Sequence, residues 1–282
     1  MNCGVAMDAG TNQAVIALGL AAGNIGGFQF VDLAPAVPSF LAPPISVGMV
    51  TSENILVDPV RKYVISPNEL GTYQVLKYPP TTAPTTTLFN YSAVPGHELD
   101  SAAEDCSTGI ALAADEFTGN LWLGSLDAAD GASYTPGSPG NWTPGGPNLQ
   151  FFPEFTSFAA GTSGVAIAPG SHLGVVTGEF GGNEFGCIQL PATHTSTPSV
   201  LDWRATAVPS DPSGAGWSQG FDPHQVTAYT SPNDGKAYGV FVNSARTYIV
   251  RIDLAGCLAC APVSATDKHC AAVPGIFTFI PL

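Results

Sequence analysis

Apolar residues along the chain fall into short runs parted by turn residues, and one such run returns five times. It reads Gly4-Val5-Ala6-Met7-Asp8, Asn54-Ile55-Leu56-Val57-Asp58, Gly109-Ile110-Ala111-Leu112-Ala113, Gly164-Val165-Ala166-Ile167-Ala168 and, more loosely, Gln225-Val226-Thr227-Ala228-Tyr229. Each copy starts with a small or amide residue, continues with a β-branched one and a compact apolar middle, and often ends in an acid. A turn containing Gly, Asn or Pro follows, then a second apolar run. Positions 5, 55, 110, 165 and 226 are separated by 50, 55, 55 and 61 residues. Sustained helical periodicity is absent; the Ala-rich residues 101–104 have room for a turn or two at most.

A repeat of this length that holds several short strands is the period of a β-propeller, with one four-stranded blade per repeat. The expected fold is therefore all-β, a single domain over residues 1–282, with five blades as written and six if an N-terminal blade is missing. Blade two is the clearest, with strands expected at 55–57, 62–66, 73–78 and 88–94 between turn signals. Blade three opens at Gly109 in this reading, and residues 127–148, with their Pro-Gly strings, form a long connection. Residues 275–280 supply the fourth strand of blade five.

Composition narrows the function classes. Eight Lys and Arg stand against 22 Asp and Glu, a formal net charge of −14. So few cations cannot neutralise many phosphates, which argues against nucleic acid and anionic membranes as partners. No apolar run reaches the length of a membrane-spanning helix. Charged residues make up only 11%, with 32 Gly and 25 Pro. Scarce Lys with abundant Thr, Ser, Gly and Pro fits a secreted or periplasmic protein. The expectation is a monomer whose leader is not present in this sequence.

Residues 106–126 (CSTGIALAADEFTGNLWLGSL), 168–190 (APGSHLGVVTGEFGGNEFGCIQL) and 220–242 (GFDPHQVTAYTSPNDGKAYGVFV) resemble a group of bacterial repeat propellers of unknown function. That group is related to the NHL-like and the periplasmic YVTN-type repeat propellers. The resemblance implies a fold and no catalytic residue.

Candidate chemistry gathers at the loops expected to enter the innermost strands. The residues just before the five pattern starts are Cys3, Glu53, Thr108, Ser163 and His224. The approach loops add His97, Glu98, Asp100, Glu104, Asp105, Cys106 and Asp222, and the loops between second and third strands add Asn24, Glu69, Glu179, Asn183 and Glu184. Oxygen-rich sets of this kind suit Ca²⁺. The expected ligands are Glu53, Glu98, Asp100, Asp105, Glu179, Glu184 and His224, and His224, stiffened by Pro223, is the best catalytic candidate. Gluconolactonase-type propellers are similar in principle, since such an ion can polarise a lactone carbonyl. Two functions follow: a non-catalytic exported scaffold binding a protein, small-molecule or carbohydrate ligand, or a metal-dependent lactonase or esterase. No complete nucleophile–base signature favours the second.

The six cysteines permit disulfides. The plainest reading of Cys257, Cys260 and Cys270 is a disulfide tying down the loop they span. A zinc site that adds His269 and a set of reduced thiols are the other readings. Cys187, inside an apolar run, is expected to be a buried thiol. Asn90-Tyr91-Ser92 and Asn141-Trp142-Thr143 fit the glycosylation sequon.

Overall fold

The computed structural model describes residues 4–21, 25–41, 45–48, 54–68, 72–77, 89–92, 99–115, 121–126, 142–144, 162–178, 184–194, 200–209, 212, 226–242, 248–265, 268–271, 273 and 275–282. These residues are nearly all β and form five sheets. They fall into two compact units, one ending at Ala102 and the other running from Ala103.

The first unit holds two sheets. In one, β1 (Val5–Asp8), β2 (Gln13–Ala21), β3 (Ile25–Asp32) and β4 (Ser39–Phe40) pair in chain order, and β5 (Ile45–Gly48) also pairs with β3. The other is β6 (Leu56–Asp58), β7 (Tyr63–Asn68), β8 (Thr72–Lys77) and β9 (Phe89–Ser92), close to the strands expected for blade two. Val15, Ala17, Phe28 and Phe30 of the first sheet pack with Ile55 and Val64 of the second. Alternation sets that contact: every second residue of β2 and β3 faces the same way, which puts Val15, Ala17, Phe28 and Phe30 on one face.

A third sheet orders β10 (Leu99–Asp105), β11 (Ile110–Asp115), β12 (Leu121–Ser125) and β13 (Trp142–Pro144). Two expectations change here. Residues 101–104 are extended, not helical, and Ile110 lies on the second strand of its sheet, not the first. The signal misled because β10 is built of Ser, Ala and acids, whereas β11 carries the β-branched apolar run. Both are buried almost throughout, so polarity did not mark β10 as a loop.

The fourth sheet is β14 (Thr162–Ala168), β15 (Leu173–Gly178), β16 (Glu184–Gln189) and β17 (Asp202–Ala207). The fifth begins with β18 (Thr227–Thr230), β19 (Ala237–Val242) and β20 (Tyr248–Asp253). Within the second unit, Ile110, Leu112 and Leu123 pack with Val165, Val176 and Ile188. Val175, Phe185 and Cys187 pack in turn with Phe241, Val250 and Ile252. Those two sheets approach closely at Gly239, where an added Cβ would lie 2.9 Å from Cβ and Cγ1 of Val175.

After β20 the chain leaves its sheet and returns. A short helix, α1 (Leu254–Leu258), is capped by Asp253, whose Oδ1 accepts from the Gly256 amide at 3.0 Å. Then β21 (His269–Cys270) pairs parallel with β17, adding a fifth strand to the neighbouring sheet. The chain comes back as β22 (Phe277–Pro281), the expected fourth strand of the last repeat. This strap carries both disulfides among the described residues. Cys260 is joined to Cys270, and Cys257 of α1 is joined to Cys187 of β16. Cys187 is thus half of a bridge between sheets and not a buried thiol; its apolar surroundings read the same either way.

Candidate functional site

One local feature aligns all five sheets. The turn from first to second strand ends on a residue of positive φ in each: Asn12 (52°), Lys62 (62°), Gly109 (69°), His172 (59°) and Gly235 (70°). The four-residue turn needs one left-handed position, which Gly and Asn take easily and other residues at a cost. Four residues earlier stand Asp8, Asp58, Asp105, Ala168 and Ser231. The three aspartates cap their own turns: Asp8 Oδ1 accepts from the Gly10 amide at 2.9 Å, Asp58 Oδ1 from the Val60 and Arg61 amides at 2.7 and 2.9 Å, and Asp105 Oδ1 from the Ser107 amide at 3.1 Å. Ser231 Oγ accepts likewise from the Asn233 amide.

The second carboxylate oxygen of two of these acids reaches the positive-φ residue of the next repeat. In the first unit Lys62 Nζ lies 3.3 Å from Asp8 Oδ2. In the second, His172 Nδ1 lies 2.5 Å from Asp105 Oδ2, and Ser107 Oγ donates to Asp105 Oδ1 at 2.6 Å. Where the next residue is Gly109, Arg61 of the same turn meets Asp58 Oδ2 at 3.3 Å instead. Burial pushes the Asp105 carboxyl up, but hydrogen bonds from Ser107 and His172 and the electrostatic pull of His172 outweigh it. Its pKa is lowered on balance. Asp8 is lowered in the same way, burial being outweighed by bonds from Thr11, the Gly10 amide and Lys62.

Around Asp105 the turn brings together Cys106, Ser107 and Thr108, with His194 Nδ1 2.8 Å from the Thr108 carbonyl. Cys106 is exposed and outside both disulfides. Sequence reading missed Ser107, His172 and His194. Aligning the repeats on the turn acid, not on the apolar run, is the signal that finds His172.

The other end of the first strands carries a buried polar row. In the first unit Asp100 and Ser101 are buried, and Asn54 Nδ2 donates to Ser101 Oγ at 3.2 Å. In the second, Thr162, Ser163, Thr177 and Asp115 are buried. There Thr162 Oγ1 accepts from the Asp115 amide at 2.8 Å, and Thr177 Oγ1 from the Gly164 amide at 2.9 Å.

The proposed cation ligands do not all converge. Asp100 and Asp105 stand near opposite ends of β10. Five extended residues span about 17 Å, and an odd separation turns the side chains to opposite faces. One ion cannot take both, and the oxygens of Asp105 are already engaged. Glu184 opens β16. Glu53, Glu98, Glu179 and His224 lie outside the described residues, as do Cys3, His97 and the expected connection 127–148 apart from residues 142–144, which form β13.

No family model matches the chain, and no curated protein does. Among solved structures, the chain is similar to one in the crystal structure of a nidogen/laminin complex, with TM-score 0.53 and 12% identity, covering 90% of this chain and 76% of that one. A protein from Lactobacillus plantarum matches with TM-score 0.46 and 13% identity over 90% of this chain and 81% of that one. The first likeness, together with the succession of four-stranded antiparallel sheets, supports a β-propeller fold. Identity this low carries the fold alone.

Proposed function

We propose that the chain is a non-catalytic, exported scaffold of five blades, binding a protein, small-molecule or carbohydrate partner through the loops that enter its first strands. The observation that carries this reading is the engagement of Asp105. The acid best placed beside a histidine is taken up by His172, Ser107 and its own turn, in bonds that join neighbouring repeats. It is spent on holding sheets together. The two disulfides support export, because such bonds persist in oxidising compartments.

The test pairs calorimetric titration of Ca²⁺, Mg²⁺ and Zn²⁺ with a panel of lactones and esters, with and without chelator. The expected result is no turnover and a Tm that does not respond to chelator. Chelator-sensitive hydrolysis would overturn the scaffold reading in favour of the metal-dependent lactonase. Asp100→Asn would weaken the response, whereas Asp105→Asn would alter stability and leave it intact.

A further inference from the structure

The two disulfides share one short stretch, Cys257-Leu258-Ala259-Cys260, with each cysteine bonded elsewhere. Cys257, in α1, holds the strap to β16 through Cys187. Cys260, just past the helix, closes the strap on Cys270. The Cys260 amide donates to the Cys257 carbonyl at 3.2 Å, so one helical turn separates the two residues. Cα atoms one turn apart lie about 5 Å from each other, within the range a disulfide requires. Accessibility differs between the bonds. Cys187 and Cys257 are fully buried, while Cys260 and Cys270 keep 7% and 9% of their surface.

We propose that these four cysteines form a redox-released strap, in which one two-electron reduction unties both bonds. A dithiol attacks the outer bond, Cys260–Cys270, and forms a mixed disulfide with one cysteine while expelling the other as a thiolate. The second thiol of the reagent closes on the first, leaving Cys260 and Cys270 reduced and the reagent as its cyclic disulfide. The Cys260 thiolate then attacks Cys257 sulfur. The Cys257–Cys187 bond breaks, a Cys257–Cys260 bond forms, and Cys187 leaves as a thiolate that takes up a proton. This second step moves no net electrons. The product keeps one disulfide inside the strap and none between strap and sheet.

Release acts on the edge of a sheet. β21 covers β17 by parallel pairing of Ala205 with His269 and Thr206 with Cys270. At that edge Arg204 Nε donates to the Cys260 carbonyl at 3.2 Å and the Ala205 amide to the Lys268 carbonyl at 3.3 Å, while Lys268 Nζ lies 3.6 Å from Asp202 Oδ1; further back, Leu254 and Leu258 of α1 pack in the core beside Cys187. Trp203 also meets His269 edge-on, with ring centroids 6.4 Å apart. Without its covalent ties a two-residue strand holds weakly, and the β17 backbone becomes an open edge able to accept another strand.

The full-length chain is treated with one equivalent of dithiothreitol, alkylated at low pH and mapped by peptide mass spectrometry. The expected product has Cys187 and Cys270 alkylated and Cys257 linked to Cys260. Alkylated Cys260 and Cys270 beside an intact Cys187–Cys257 bond would overturn the proposal. A second arm uses Cys270→Ser with no reductant. That variant should rearrange unaided, exposing Cys187 to alkylation; labelling of Cys260 instead would also overturn it. Hydrogen exchange then reports the consequence, with the Ala205 amide, which donates to the Lys268 carbonyl, exchanging at least tenfold faster in the rearranged chain. Unchanged exchange there would reject release of the edge.

Discussion

At Lys62 and His172 the positive-φ residue of the first turn does two jobs at once, and His172 shows how they trade. Its backbone sits where a residue other than Gly or Asn is strained, and its ring bridges to Asp105 of the preceding repeat. His172→Ala keeps the strain and loses the bridge; His172→Gly loses the bridge and relieves the strain. The alanine variant should therefore be the less stable of the two by about 1 kcal/mol, read as a larger fall in Tm. Asp105→Asn should cost about 1–3 kcal/mol, because the hydrogen bonds lost have a charged acceptor. The pH dependence follows from the lowered pKa of Asp105. Its contribution is fully present above the unfolded carboxylate range, near 4, and is lost as pH falls through the folded value. Acid titrations of the native chain and Asp105→Asn should converge below that point. A gap that persists at the acid end would show that the carboxylate charge is not what matters.

At the scale of strands and sheets, contacts are set by what the chain leaves out as much as by what it supplies. Gly239 on β19 faces Val175 on β15, and Val175 is β-branched with no room to swing aside. Gly239→Ala should destabilise by about 1–3 kcal/mol through overpacking, measured by urea denaturation; Val175→Ala in the same chain should recover part of it. The disulfides hold the strap that links the same pair of sheets, the Cys187–Cys257 bond from within the core. By loop-closure entropy, a bridge across 70 residues is worth about 4 kcal/mol and one across 10 about 3. Full reduction should lower Tm by several degrees, with Cys187→Ala accounting for the larger share. These elements were unequally legible in the sequence. Strands with β-branched alternation, such as β7 and β8, could be placed within a residue or two. β10 could not, since Ser, Ala and acids hide a strand whose burial comes from its neighbours. The pairing of Cys187 was beyond reach as well, because nothing local distinguishes a bridge between sheets 70 residues apart from a buried thiol.

For the molecule as a whole, the period of the apolar pattern was enough to indicate all-β sheets in succession, and the likeness in fold agrees. The candidate site was less readable. It was assembled on the assumption that Ile110 begins a repeat, which put Asp100 and Asp105 into one loop, when a single strand separates them. An error of one strand in register moves an acid from one end of a sheet to the other. The acidic balance remains a property of the whole chain. Raising salt should stabilise it modestly by screening like charges, and if no cation is bound, Ca²⁺ and Na⁺ matched for ionic strength should give the same Tm. A clear excess for Ca²⁺ would point to specific coordination.

The links from Asp8 and Asp105 to the next turn's left-handed residue also bear on how such a chain can be cut and rebuilt. Asp8 answers to Lys62 and Asp105 to His172, while Ala168, with no acid to offer, is followed by Gly235, which has no side chain to receive one. Complementarity is thus written across two of the joints between consecutive repeats, whereas Asp58 is met within its own turn by Arg61. The first repeat excised alone carries Asp8 without its lysine and the second Lys62 without its acid, and either one transplanted elsewhere meets a stranger's turn. The module that can be exchanged without loss is the junction: the second half of one repeat with the first half of the next.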